Sequence, residues 1–168
     1  MRSKVVSVVV LVALSLSLYA GNVTATDPSG FLGVTVAKGT FGDLFSHVNS
    51  KDPQRWNEMI WTHGASDLYI QQNTLQPGGC TGWHTHPGPS FVIVTQGSVT
   101  VYEGDDTTCT PHVYTANTPN NSFVDIGGGD VHLIRNETGA VAQTMAVQLV
   151  PKDATRRVSA PDPGHCAF

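Results

Sequence analysis

Two histidines lie one residue apart in Gly78-Gly79-Cys80-Thr81-Gly82-Trp83-His84-Thr85-His86. On a β-strand, side chains at i and i+2 leave the same face. His84 and His86 can therefore aim two imidazoles at one point. Neutral imidazole is the commonest side-chain ligand of transition metals. The pair reads as half of a metal site that needs a third ligand from elsewhere in the chain.

Downstream runs Gly127-Gly128-Gly129-Asp130-Val131-His132-Leu133-Ile134-Arg135-Asn136. Together the two segments resemble the cupin superfamily. Gly78, His84, His86 and Gly97 occupy the glycine and histidine positions of the first cupin motif. Gly129, His132 and Asn136 match the second, with Gly127 where that motif has a proline. Two motifs in the right order are specific where either alone is weak. The resemblance covers roughly residues 67 to 150. It implies an all-β double-stranded β-helix, a jelly-roll barrel. It implies a divalent metal (Fe, Mn, Zn, Ni or Cu) held by His84, His86 and His132. It also implies a small-molecule ligand or substrate, and pairing of two copies through edge strands.

The resemblance departs from the family at one position. Ser90 stands where the first motif has a glutamate, and no neighbouring residue is acidic. The expected centre is thus an open three-histidine site. Without a carboxylate, a divalent ion there favours an anionic or chelating ligand. Ser90 either contacts the ligand or leaves a gap for water. Three-histidine cupin oxygenases exist, so a small-molecule dioxygenase is the expected activity. The alternative is a non-catalytic metal-binding or small-ligand-binding protein. Asp130 is a candidate outer carboxylate, or simply a turn aspartate. Asn136 is expected to secure a turn, and Trp83 to face away from the metal. His47, His63, His112 and His165 lack ligand spacing and read as surface or loop residues.

The elements that must position these residues are legible as short strands punctuated by Gly and Pro. They are Phe31–Val36, Asp67–Leu75, Trp83–His86, Phe91–Gln96, Ser98–Glu103, His112–Thr115, Ser122–Ile126, Val131–Arg135 and Val141–Leu149. Phe41–Asn49 is ambiguous, because Leu44, Phe45 and Val48 also fit one helical face. This pattern independently argues a β-sandwich or jelly roll. Alternation turns Val92, Val94, Val99, Val101 and Ile134 inward. Val92, Val94, Val101 and Ile134, with Ser90, are the expected pocket.

Composition sets the bounds. Charged residues are 13% and hydrophobic residues 40% of the 168, with 17 glycines. That suits a folded β-rich domain rather than a disordered chain. No basic run marks a nucleic-acid partner. Residues 1–25 read as a secretory signal peptide: a basic start, an apolar run Val5–Tyr19 and small residues at Val23-Thr24-Ala25. The run is shorter than the ~20 residues of a membrane span, so no stable anchor is expected. The expected location is secreted or extracytoplasmic. Residues 26–66 are expected to form an N-terminal strand and cover segment, 67–150 the barrel, and 151–168 a tail. Export permits disulfides. Cys109 and Cys166 are the expected pair, since a bridge would tether a tail with no strand or helix pattern. Cys80 is left as a free thiol: a small turn residue near the barrel mouth, or a thiolate ligand or redox group.

Overall fold

The computed structural model describes residues 25–51 and 56–168; the expected signal segment therefore lies outside the described residues, Ala25 excepted. The described chain is all β. Its strands are β1 (Ser29–Phe41), β2 (Phe45–Asn49), β3 (Asn57–Trp61), β4 (Ser66–Cys80), β5 (His84–Thr85), β6 (Ser90–Gln96), β7 (Ser98–Glu103), β8 (His112–Thr115), β9 (Ser122–Asp125), β10 (His132–Arg135), β11 (Ala142–Pro151) and β12 (Val158–Ser159).

Two antiparallel halves build the barrel. One runs β1-β4-β11-β6-β9 and the other β12-β5-β10-β7-β8. They join at a corner where Arg135 of β10 pairs with Cys80 at the end of β4. Gly97 turns the chain from β6 into β7, the second crossing between halves. Its φ is +67°, and a Cβ there would lie 2.8 Å from the Val141 carbonyl, so only glycine fits without a shift. The architecture is a jelly-roll barrel.

Strict alternation fills the interior. On β6, Ser90, Val92 and Val94 are buried while Phe91 and Ile93 are exposed. On β11, Ala142, Thr144, Ala146, Gln148 and Val150 are buried, which sets the parity of that strand. On β10, His132 and Ile134 point between the two halves, and Leu133 points out to a second cluster. The main core joins Leu75, Val94, Val99, Val101, Ile134 and Ala142. The second core joins Trp83, Tyr102, Leu133 and Ala160, with Cys109 and Cys166 packed against it.

Three elements differ from the strand pattern read in the sequence. Residues 45–49 form a strand, not a helix, because β2 pairs with β3 from Phe45↔Trp61 to Asn49↔Asn57. Cross-strand pairing there overrides the helical periodicity. The first strand is longer than Phe31–Val36 and pairs with β4 from Ser29↔Cys80 to Phe41↔Ser66. The tail is also structured: β12 pairs with β5 (Val158↔Thr85, Ser159↔His84), and Cys109 and Cys166 form a disulfide.

Candidate metal centre

The pairing of β5 with β10 sets the centre. His84 and His132 are direct cross-strand partners, a relation that holds Cβ atoms about 4.5–5.5 Å apart. His86 follows two residues after His84 on the same face. The three ring centroids lie 4.3 to 5.5 Å apart. One nitrogen from each ring falls within 4.8 Å of the others. All three side chains are buried.

Their second nitrogens show how the rings are held. His84 Nδ1 lies 2.8 Å from the Gly82 carbonyl, and His86 Nδ1 lies 2.7 Å from the Arg156 carbonyl. A carbonyl only accepts, so each Nδ1 carries the proton and each Nε2 presents a lone pair to the interior. An imidazole whose far nitrogen donates to a backbone carbonyl is the usual arrangement of a metal ligand. His132 Nδ1 makes no hydrogen bond of ordinary geometry.

Burial also keeps the rings neutral. Desolvation pushes His84 well below the ordinary histidine range, helped by the neighbouring His132 and Arg157. Desolvation lowers His86 as well. It brings His132 down to about 3, with His86 and Arg157 adding to the shift. Neutral imidazoles are the form that binds a metal. These residues fit a divalent transition ion.

A carboxylate lies beside two of the three rings. Asp125, at the end of β9, places Oδ2 3.4 Å from His86 Nε2 and 3.7 Å from His132 Nε2. Its Oδ1 accepts the Gly127 N–H at 2.8 Å, while Oδ2 is buried with no hydrogen-bond partner. Desolvation raises the Asp125 pKa; the Gly127 N–H, His86 and the Ser90 hydroxyl oppose that rise. Asp125 and Ser90 are cross-strand partners on β9 and β6. An acid missing from its expected place on β6 is therefore matched by one directly opposite. Asp130, the outer carboxylate expected from its spacing to His132, is not in the cavity lining. The left-handed run Gly127-Gly128-Gly129 turns the chain between Asp125 and Asp130 and separates the two.

The cavity is small, with about 40 Å³ of space for water-sized groups. Ser90, Val92 and Ile134 line it. Val94 and Val101 do not; they sit in the main core. The parity is right for both, but each strand carries them past the cavity floor, since a strand rises about 3.3 Å per residue. Sequence reasoning missed Asp125, Gln148, Arg156 and Arg157, all in the lining. Gln148 donates to Ser90 Oγ at 2.7 Å and accepts from Arg156 at 2.7 Å. Arg157 donates to the Thr81 carbonyl and to Ser159 Oγ. No local signal marked these residues, because they come from β9, β11 and the tail.

The other expectations resolve simply. Asn136 is fully buried; its amide donates to the Leu75, Gln76 and Ala140 carbonyls and clasps the turn after β10. Trp83 packs in the second core, away from the cavity, and Cys80 packs against that core. His47, His63 and His112 are exposed, and His165 is half-buried in the tail.

No family model and no curated protein matches the sequence. Solved structures are similar at low identity. A cupin superfamily protein from Desulfitobacterium hafniense is 11% identical, with a TM-score of 0.45 over 71% of this chain and 77% of that one. A polyketide cyclase from Streptomyces resistomycificus is 18% identical, with a TM-score of 0.45 over 57% of this chain and 64% of that one. An oxalate decarboxylase from Lactobacillus farciminis is 20% identical, with a TM-score of 0.45 over 55% of this chain and 26% of that one. Within the chain, the two histidine-bearing segments lie on paired strands of one jelly-roll barrel, with their histidines converging inside it.

Proposed function

We propose that this protein is an exported cupin that binds a divalent transition metal through His84, His86 and His132 and acts on a small anionic molecule with dioxygen. The convergence of three buried, neutral imidazoles on one cavity carries the reading. A bound iron would supply Lewis acidity and one-electron chemistry toward oxygen and a chelating substrate. The residues around it select what enters. The lining carries two guanidinium groups, Arg156 and Arg157, against the single carboxylate of Asp125. That balance attracts an anion. The space is small, so only the reactive end of a substrate fits inside. The disulfide Cys109–Cys166 supports an oxidising compartment. Among the described residues no helix is long and apolar enough to cross a membrane.

One observation favours a second reading, metal or ligand binding without turnover. Asp125 is the only carboxylate in the lining, which contains no Glu, Lys, Tyr or Cys to serve as a separate acid or base. Oxygen uptake decides between the two. Iron-loaded protein is tested with diketone, thiol-carboxylate and catechol-type compounds. Uptake that is lost in His132→Ala supports the oxygenase; tight metal binding without uptake on any class supports the binder.

A further inference from the structure

We infer that Asp125 is the fourth protein ligand of this centre, moved across the sheet from the place where the family carries its acid. The inference rests on the metal reading above and deepens it.

The geometry points there from three sides. Ligand atoms about 2.1 Å from one ion stand about 3.0 Å apart at right angles and about 3.4 Å apart in a tetrahedron. Asp125 Oδ2 stands 3.4 and 3.7 Å from the Nε2 atoms of His86 and His132. It already stands at ligand spacing from two of the three imidazoles; the group of ligand atoms within 4.8 Å of one another holds the histidines alone, so binding draws the carboxylate toward His84. Oδ2 is also buried with no hydrogen-bond partner, a costly state for a carboxylate oxygen unless a cation serves it. The other oxygen is anchored: Oδ1 accepts the Gly127 N–H, which leaves Oδ2 aimed at the histidines.

The surrounding residues explain why the exchange works. Ser90 and Asp125 are direct partners across β6 and β9, so a carboxylate on either strand reaches the same space. A glutamate at 90 together with aspartate at 125 would crowd two anions into one small cavity. A serine at 90 removes that conflict. Its hydroxyl instead accepts from Gln148, whose amide is fixed by Arg156. The centre thus has three neutral ligands and one anionic ligand. Its open positions differ from those of a site whose acid comes from β6.

The test uses the full mature chain stripped of metal and titrated with Co²⁺, read by competition affinity and by the visible absorption bands. Asp125→Asn keeps the shape and an acceptor for the Gly127 N–H while removing the anionic oxygen. It is expected to weaken Co²⁺ binding by about 100-fold or more, beyond the 10–100-fold of an outer support, and to shift the absorption bands. Ser90→Glu combined with Asp125→Ala returns the acid to β6 and is expected to recover most of the affinity. Wild-type affinity with wild-type bands in Asp125→Asn overturns the inference. Weakened binding with unchanged bands also overturns it, because that marks a positioning residue. A wild type that binds no Co²⁺ sinks the metal reading itself, a result distinct from either of these.

Discussion

Ser90 and Asp125 face each other inside the barrel, and the contrast between them sets the chemistry of the centre. His84 and His86 were legible in the sequence because strand alternation alone places them on one face. His132 was legible because the second motif carries it. Asp125 was not, because its role depends on the pairing of β9 with β6, a long-range register that no local pattern encodes. The same holds for Gln148, whose amide nitrogen lies 3.2 and 3.3 Å from the two ring nitrogens of His86. Replacing Gln148 with Ala frees the Ser90 hydroxyl and leaves Arg156 without its acceptor. Loss of such an outer support is expected to weaken metal affinity by about 10–100-fold while leaving one metal per chain. Equilibrium dialysis against Mn²⁺ checks this; unchanged affinity would remove Gln148 from the centre.

At the scale of elements, the motif strands were legible and their flanks were not. The N-terminal strand and the tail owe their structure to partners far away in sequence. Asp67 shows how this works. At the start of β4 it accepts from Thr40 Oγ1 at 2.6 Å and from the Asp153 N–H at 3.0 Å, and pairs with Lys38 at 2.8 Å. It ties β1, β4 and the turn after β11 together. Lys38 and Thr40 hold its carboxyl down at about 2, from an ordinary 3.8, and Lys38 is raised to about 12. The linkage has a definite sign. The folded-state pKa of Asp67 is depressed, so its stabilisation is complete above about pH 4 and disappears as pH falls through 2. The Lys38 contribution is complete below about pH 10 and is lost as pH rises through 12. Urea midpoints for wild type and Asp67→Asn should differ at pH 6 and converge toward pH 2. A constant gap would mean that the carboxylate charge contributes nothing.

The tail makes a parallel case. It lacks a strand pattern, yet β12 pairs with β5, the Arg156 carbonyl orients His86, and Cys166 closes on Cys109. Replacing both cysteines with serine is expected to lower stability by about 2–4 kcal/mol. It should weaken metal binding too, since the carbonyl that fixes the His86 ring belongs to the tethered segment. Denaturant unfolding with a parallel Mn²⁺ titration reads both effects. Loss of stability with full affinity would show that β12 alone docks the tail.

The described residues form a barrel with an apolar core, a small polar cavity beside it and several large apolar side chains exposed on its strands. Along the outer edge of β1, no strand among the described residues pairs, and Leu32, Val34 and Val36 are exposed. A long bare edge invites pairing with another strand. A homodimer formed through this edge is expected, and light scattering should read twice the chain mass in wild type but one chain mass in Val34→Lys. A monomeric wild type would place the pairing elsewhere or nowhere. The jelly-roll class could be read from Gly and Pro punctuation and alternation, whereas the β2–β3 hairpin could not. Its pairing lies outside the motifs, and the i, i+3 spacing of Phe45 and Val48 fits a helical face while placing the two on opposite faces of a strand.

The claim on which everything else depends is that His84, His86 and His132 hold a metal. Elemental analysis of the protein, purified without added metal beside His84→Ala, tests it most directly. The expected result is one equivalent of a single transition metal per wild-type chain and less than a tenth of that in the variant, both folded by circular dichroism. A folded wild type that carries no metal and takes up neither Fe²⁺, Mn²⁺, Zn²⁺, Ni²⁺ nor Cu²⁺ would contradict the account.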